Sequence, residues 1–388
     1  ADEIHLRPTE IGIIISVFMV ARAISSALVP DLSDKVGRKK ILIVALAFYA
    51  VSTVLLGFAR SFFLLFFLRV VEGAATGAVF PTAEALLVDS VPLKDRGAWM
   101  GKYFTTFNFG FIIGPAIGGI LFTIGTDLFF LDTLTAFSVP FVFTGLLGFI
   151  SLISIIFFVQ DVLITDKKDS IDELIAGEIA DIPTSITPYL SSFLLIGVLS
   201  GFSIGLIIPI FTLHMTNAFQ LTEGNIGFIF TISGSVALLV NYPAGKLSDK
   251  ISNRMQIVWV GMICTGVAFF GVSLATSLGI VILFFIFRST AFQAYLPAYR
   301  AFQADKIPPL VRGKVMGHIQ SAFNVGATFG PLIGSWLYEI FVSQSLDILG
   351  YSFFGGGIPF LVAGIFGLIQ VLFAVNILIN DKKSVHEL

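Results

Sequence analysis

Arg96-Gly97-Ala98-Trp99-Met100-Gly101, with Asn108-Phe109-Gly110 and Gly114-Pro115-Ala116-Ile117-Gly118 after it, returns 216 positions later. The second copy reads Arg312-Gly313-Lys314-Val315-Met316-Gly317, then Asn324-Val325-Gly326 and Gly330-Pro331-Leu332-Ile333-Gly334. Just upstream, Pro81 and Asp89 return at the same offset as Pro297 and Asp305. Arg, Asp, Asn, Pro and Gly are not residues an apolar helix selects by default, so their common register marks a duplication. A repeat of this length set in apolar helices predicts two membrane-embedded halves packed around a shared midplane site.

Composition places the chain in a bilayer independently of the repeat. Hydrophobic residues make up 56% of the 388 and charged residues 12%, against roughly 45–50% and 25% in soluble domains. A net charge of -2 offers no basic patch for nucleic acid. The lone cysteine, Cys264, excludes a disulfide framework and a thiolate metal site, and reads as helix packing. No Walker loop, His-Glu-x-x-His, Gly-x-Ser-x-Gly or dinucleotide fingerprint occurs, so neither an enzyme nor a metal or cofactor site is expected.

A membrane helix needs about 20 largely apolar residues. Eleven stretches qualify: 11–30, 41–59, 62–88, 97–124, 139–160, 189–213, 224–244, 256–276, 279–303, 313–341 and 357–379. Lys and Arg crowd the loops on one side, whereas only Arg7 and Arg60 fall on the other. The positive-inside rule makes the crowded side cytoplasmic, together with the C-terminus, for a multi-pass protein of the cell membrane. The halves are unequal, because Ile226-Gly227 matches Ile11-Gly12 and is preceded by a span that the first half lacks. The expectation is an N-terminal bundle over 1–160 missing its first helix, a cytoplasmic linker over 161–188 and a six-span C-terminal bundle over 189–388. Twelve helices are expected in the full-length protein.

The loop after the first span reads Pro30-Asp31-Leu32-Ser33-Asp34-Lys35-Val36-Gly37-Arg38-Lys39-Lys40. It resembles the Gly-x-Leu-x-Asp-Arg-x-Gly-Arg-Lys loop of the major facilitator superfamily at Leu32, Asp34, Gly37, Arg38 and Lys39. Its second copy runs from Gly245 to Arg254, keeping Asp249 and losing the later Gly and Arg. Gly37 permits a tight turn between helices, and Asp34 can accept bonds from the free amides of a helix N-terminus. Arg38 can pair with Asp89. The resemblance implies that this cluster, with Asp249 and Asp305 in the second half, is a latch that closes the cytoplasmic side. The alternative is a charged loop that only sets topology.

Arg69-Val70-Val71-Glu72-Gly73 resembles the family's Arg-x-x-Gln-Gly motif, with Glu in place of Gln. Glu72 and Glu84 lie on one broad helix face with Arg69. Charge within a membrane helix costs several kcal/mol unless it faces protein or water, so this face is expected to line a cavity. Arg69 can hold Glu72 ionised, and its withdrawal would let the carboxylate load a proton. A static ion pair is the alternative, and Glu84 is a rival proton carrier. Arg22 could meet Glu72, Glu84 or an anionic substrate. Arg288, which loosely mirrors Arg69, and the matched pair Asn108 and Asn324 complete the substrate-cavity candidates.

Gly110, Gly114 and Gly118 form a groove that admits another helix closely, and Pro115 bends the span. Gly330 and Pro331 repeat the device. The resemblance associates Gly-Pro-x-x-Gly-Gly with exporters that exchange substrate for protons; helix packing is the alternative. His214 and His318 read as surface or interface residues.

Together these features identify an all-α major facilitator fold of two pseudosymmetric bundles. The leading function is proton-coupled export of a small amphipathic or drug-like compound by a monomeric antiporter. It would draw on the proton gradient alone, with small molecules, protons and lipid as its partners. The alternatives are a transporter of an organic anion or sugar-like solute, which the excess of Arg over Glu within spans keeps open, and a transport-inactive sensor or scaffold.

Overall fold

The computed structural model describes residues 6–92, 95–160, 187–251, 254–308, 311–348 and 351–386. The linker expected over 161–188 falls almost wholly outside them. The described chain is helical: α1 (Pro8–Val36), α2 (Arg38–Phe58), α3 (Phe62–Ser90), α4 (Arg96–Thr123), α5 (Thr133–Ala136) and α6 (Ser138–Phe158) in the first half. The second half contributes α7 (Thr187–Ile207), α8 (Ile210–Phe219), α9 (Glu223–Lys250), α10 (Met255–Leu274), α11 (Leu278–Lys306), α12 (Arg312–Phe341) and α13 (Ile358–His386). Helix is the form a single segment must take in lipid, because it satisfies every backbone donor and acceptor within itself. Ten of these segments are long and apolar enough to cross a membrane. The eleventh predicted stretch, 313–341, forms the 30-residue α12.

Helix boundaries follow local chemistry. Gly37 alone separates α1 from α2, at φ 105°, a left-handed conformation that a side chain would resist. The Ser61 hydroxyl caps α3 by accepting from the Leu64 amide at 3.3 Å. The predicted span 189–213 is two helices, because Pro209 has no amide hydrogen to carry α7 onward. A hairpin pairs β1 (Ser345–Ile348) with β2 (Tyr351–Phe354), Ser345 opposite Phe354, in a stretch the sequence reading left as loop.

The helices form two compact units. The first joins the helices up to Phe158 with Thr222–Thr231, and the second holds the remainder. In the first, α1 packs on α3, and α2 lies against both α3 and α6. In the second, α7 lies against α12 and α13, and α10 against α11 and α13. The second core is built on Phe193, Met255, Tyr295, Phe302 and Ala374.

The two glycine grooves differ. On α12, a Cβ added at Gly326 or Gly334 would fall on the Val198 or Leu206 carbonyl of α7, and one at Gly330 would lie 2.7 Å from Gly205 Cα. Around Gly110, Gly114 and Gly118 of α4, no atom of the described residues lies within 4 Å of such an atom. The other face of α4 is occupied within the first unit, where a Cβ on Gly119 would come 2.9 Å from Gly224 Cα and Thr231 donates to the Ile112 carbonyl at 3.0 Å.

His214 lies 1% exposed, ringed by Phe219, Phe354 and Phe360. The sequence reading put it at a surface or interface; the hairpin and the start of α13 bury it instead.

Candidate functional site

About three turns along α3, Glu72 faces the seam with α2. Arg69 Nη1 donates to Glu72 Oε2 at 2.9 Å, one helical turn away. The Thr53 hydroxyl of α2 donates to Glu72 Oε1 at 3.3 Å. Glu72 is 7% exposed, so this carboxylate is seated in the α2–α3 seam with both oxygens engaged. The Arg69 guanidinium rests 5.9 Å from the Phe18 ring centroid, leaving Nε buried without an acceptor. A buried carboxylate stays ionised only while a cation compensates it. Arg69 and Glu72 therefore form one compensated ion pair.

Arg22 joins neither acid: it is exposed and lies over Phe80 at 5.4 Å. Glu84 is half-buried, with no ion-pair partner among the described residues. Asn108 is exposed, while Asn324 accepts a bond from Gln320 Nε2 at 3.3 Å.

The second unit has a matching polar site of opposite charge. At the offset of 216, Glu72, Arg69 and Thr53 correspond to Arg288, Phe285 and Phe269. The Arg288 guanidinium lies 5.2 Å from the Phe285 ring and 5.4 Å from that of Phe269. Its Nη2 donates to Ser289 Oγ at 3.0 Å, and Ser233 donates to the same hydroxyl at 2.7 Å. The sequence reading set Arg288 against Arg69; the register sets it against Glu72.

At the helix ends that carry the basic loops, Arg38 is ion-paired with Asp89, and each side chain is only 11% exposed. The side chains of Asp34 and Asp249 lie outside the described residues. Arg254 donates to Asp305 at 2.6 Å, with the side chains 26% and 60% exposed. Arg254 was missed as a functional residue because the second loop was aligned on its Gly and Asp. The register of 216 that relates Asp89 to Asp305 relates Arg38 to Arg254, and would have found it.

These features define a polytopic helical protein made of two related halves, each with a charged site inside the bilayer and an ion pair at one membrane face. The family model described as Major Facilitator Superfamily matches twice, over residues 1–194 and 193–386, and the chain belongs to that family of membrane transporters. It is 24% identical to Multidrug resistance protein 2 of Bacillus subtilis (strain 168) over 351 residues, 89% of this chain and 84% of that protein. It is 27% identical to Tetracycline resistance protein, class D, of Salmonella ordonez over 350 residues, again 89% and 84%. Among solved structures, a bacterial homolog of the human lysosomal transporter Spinster, inward-facing and unoccupied, superposes with a TM-score of 0.74 at 18% identity. The match covers 97% of this chain and 88% of that one, and it shows the fold.

Proposed function

We propose that this transporter exports a small amphipathic or drug-like compound across the cell membrane in exchange for protons, by alternating access. The observation that carries the reading is the Glu72 carboxylate within α3, held by the Arg69 cation and the Thr53 hydroxyl. While the pair is closed, Glu72 is compensated and ionised. A rearrangement that draws Arg69 away leaves a buried charge uncompensated, and the carboxylate takes up a proton. Return of Arg69 expels it. Substrate bound where it competes for Arg69 would make this exchange obligatory. The relatives named for multidrug and tetracycline resistance support export of drug-like compounds.

Arg38–Asp89 and Arg254–Asp305 serve in this scheme as latches at the cytoplasmic face, made in one state and broken in the other. The test is counterflow in proteoliposomes loaded with tetracycline or ethidium. An imposed inward proton gradient should drive efflux, with proton uptake reported by a trapped pH dye. Efflux that ignores the pH difference would refute proton coupling, and no flux of either probe would refute export of this class.

A further inference from the structure

Two opposite charges of the first unit, Arg22 of α1 and Glu84 of α3, lie within membrane-spanning helices and form no ion pair among the described residues. A charge in such a helix faces protein or water rather than lipid, and marks a functional position by default. Arg22 is exposed and Glu84 half-buried. The offset of 216 turns these positions into Leu238, 43% exposed, and Arg300, also exposed. They stay accessible in both copies of the fold.

An aromatic surface lies between them. The Arg22 guanidinium stands over the Phe80 ring, 5.4 Å from its centroid, and Glu84 follows Phe80 by one turn of α3, about 6 Å of rise. That offset suits one aromatic ring with a charged group at each end. Phe80 meets Phe107 of α4 edge to face, at 5.4 Å between centroids and 86° between planes, and Phe107 is 43% exposed. A further ring can therefore pack against the pair. Tyr103, one turn before Phe107 on α4, lies close enough to Glu84 for the carboxylate charge to act on its phenol. All of these groups belong to the first unit.

We infer that Arg22, Phe80 and Glu84 form a recognition site for an aromatic zwitterion, whose carboxylate meets Arg22, whose ring packs on Phe80 and Phe107, and whose ammonium meets Glu84. This rests on the export reading above and narrows it to compounds that carry both charges. The guanidinium fork matches a carboxylate in two parallel bonds. An anion alone is drawn to Arg22 and repelled by Glu84, and a cation alone meets the reverse. Only a compound with both charges, set a ring apart, is favoured at each end, which is selection by repulsion as well as attraction. In this arrangement Glu84 recognises the substrate and Glu72 carries the proton.

The experiment is a thermal-shift titration of the purified chain in detergent at neutral pH and fixed ionic strength. The probes are 4-(aminomethyl)benzoate, a zwitterion with its charges across one ring, and two compounds in which a methyl group replaces one charge, 4-methylbenzoate and 4-methylbenzylamine. The zwitterion should raise the melting temperature saturably. Each singly charged probe should require on the order of tenfold more, as loss of a hydrogen bond to a charged group does. Arg22→Gln should weaken the zwitterion about tenfold, to the level of 4-methylbenzylamine, and Glu84→Gln should weaken it to the level of 4-methylbenzoate. A side chain with a merely structural role would weaken all three probes alike. If one variant is not monodisperse, the other reads its own end of the site. Equal potency of the zwitterion and either singly charged probe would overturn the two-ended site. So would a zwitterion response that is absent, or unchanged in both variants. No pH difference is imposed, so failure here is separate from failure of proton-driven efflux.

Discussion

Arg254 stands to Asp305 as Arg38 stands to Asp89, both members displaced by 216 positions, and it donates to Asp305 Oδ2 at 2.6 Å. The duplication has preserved an ion pair even though the loop motif around Arg254 has decayed. Burial separates the copies. Arg38 and Asp89 are each 11% exposed, whereas Asp305 is 60% exposed.

Removing one partner of a buried pair costs about 3–5 kcal/mol, because the other charge is left uncompensated. An exposed pair contributes about 0–1 kcal/mol. Arg38→Ala should therefore lower the melting temperature of the detergent-solubilised protein markedly, and Arg254→Ala only slightly. Asp34→Asn should shift the resting population toward inward-open by about 1–3 kcal/mol, the size of a typical coupling energy. Spin-label distances across the basic loops read that shift, and an unchanged distribution would remove Asp34 from the latch.

Glu72→Gln should abolish drug accumulation driven by a pH difference while leaving passive exchange of the same probe measurable. Glu84→Gln should leave the driven component in place. Thr53→Val, which removes one bond from the carboxylate, should slow driven flux without eliminating it. Flux in proteoliposomes with and without the gradient separates the three, and accumulation persisting in Glu72→Gln would transfer the role to Glu84.

The two glycine grooves should respond oppositely to a methyl group. Gly326→Ala or Gly334→Ala forces α12 off α7 and should destabilise this chain by about 1–3 kcal/mol, as overpacking does. Gly110→Ala and Gly114→Ala meet open space and should be neutral, or stabilising through the roughly 0.5–1 kcal/mol preference of a helix for Ala. Melting curves of the four variants decide this. Equal losses in both grooves would show that the α4 groove is filled.

Asp132 caps the turn Thr133–Ala136, accepting from the Thr135 amide at 3.1 Å, and the hydroxyl and amide of Thr135 hold its carboxyl below the usual carboxylate range. A lowered value means that the cap is intact at neutral pH and is lost as pH falls through that value. Protection of the Thr135 and Ala136 amides, taken relative to the intrinsic exchange rate at each pH, should fall on acidification in the native protein. In Asp132→Ala that protection should be low at every pH.

Sequence by itself determined the helical class, the positions of the spans to within a few residues and the division into related halves. Each of these follows from composition, apolar length and a repeat, which are properties of the chain read locally or against itself. The pairing of Arg38 with Asp89 was legible too, since both sit at span ends with opposite charge. Tertiary structure alone decided where Glu72 points. Helical periodicity puts it on a face with Arg69 and Glu84, but its second bond comes from Thr53 on another helix, and no spacing within α3 predicts that. Arg288 shows the same limit. The register names its counterpart, yet only packing reveals two phenyl rings where the first half has a charge and a hydroxyl, with no carboxylate paired to its guanidinium among the described residues. The grooves are alike as sequence and unlike in space, because a glycine specifies only that a close approach is allowed, and the neighbouring helix determines whether it is used.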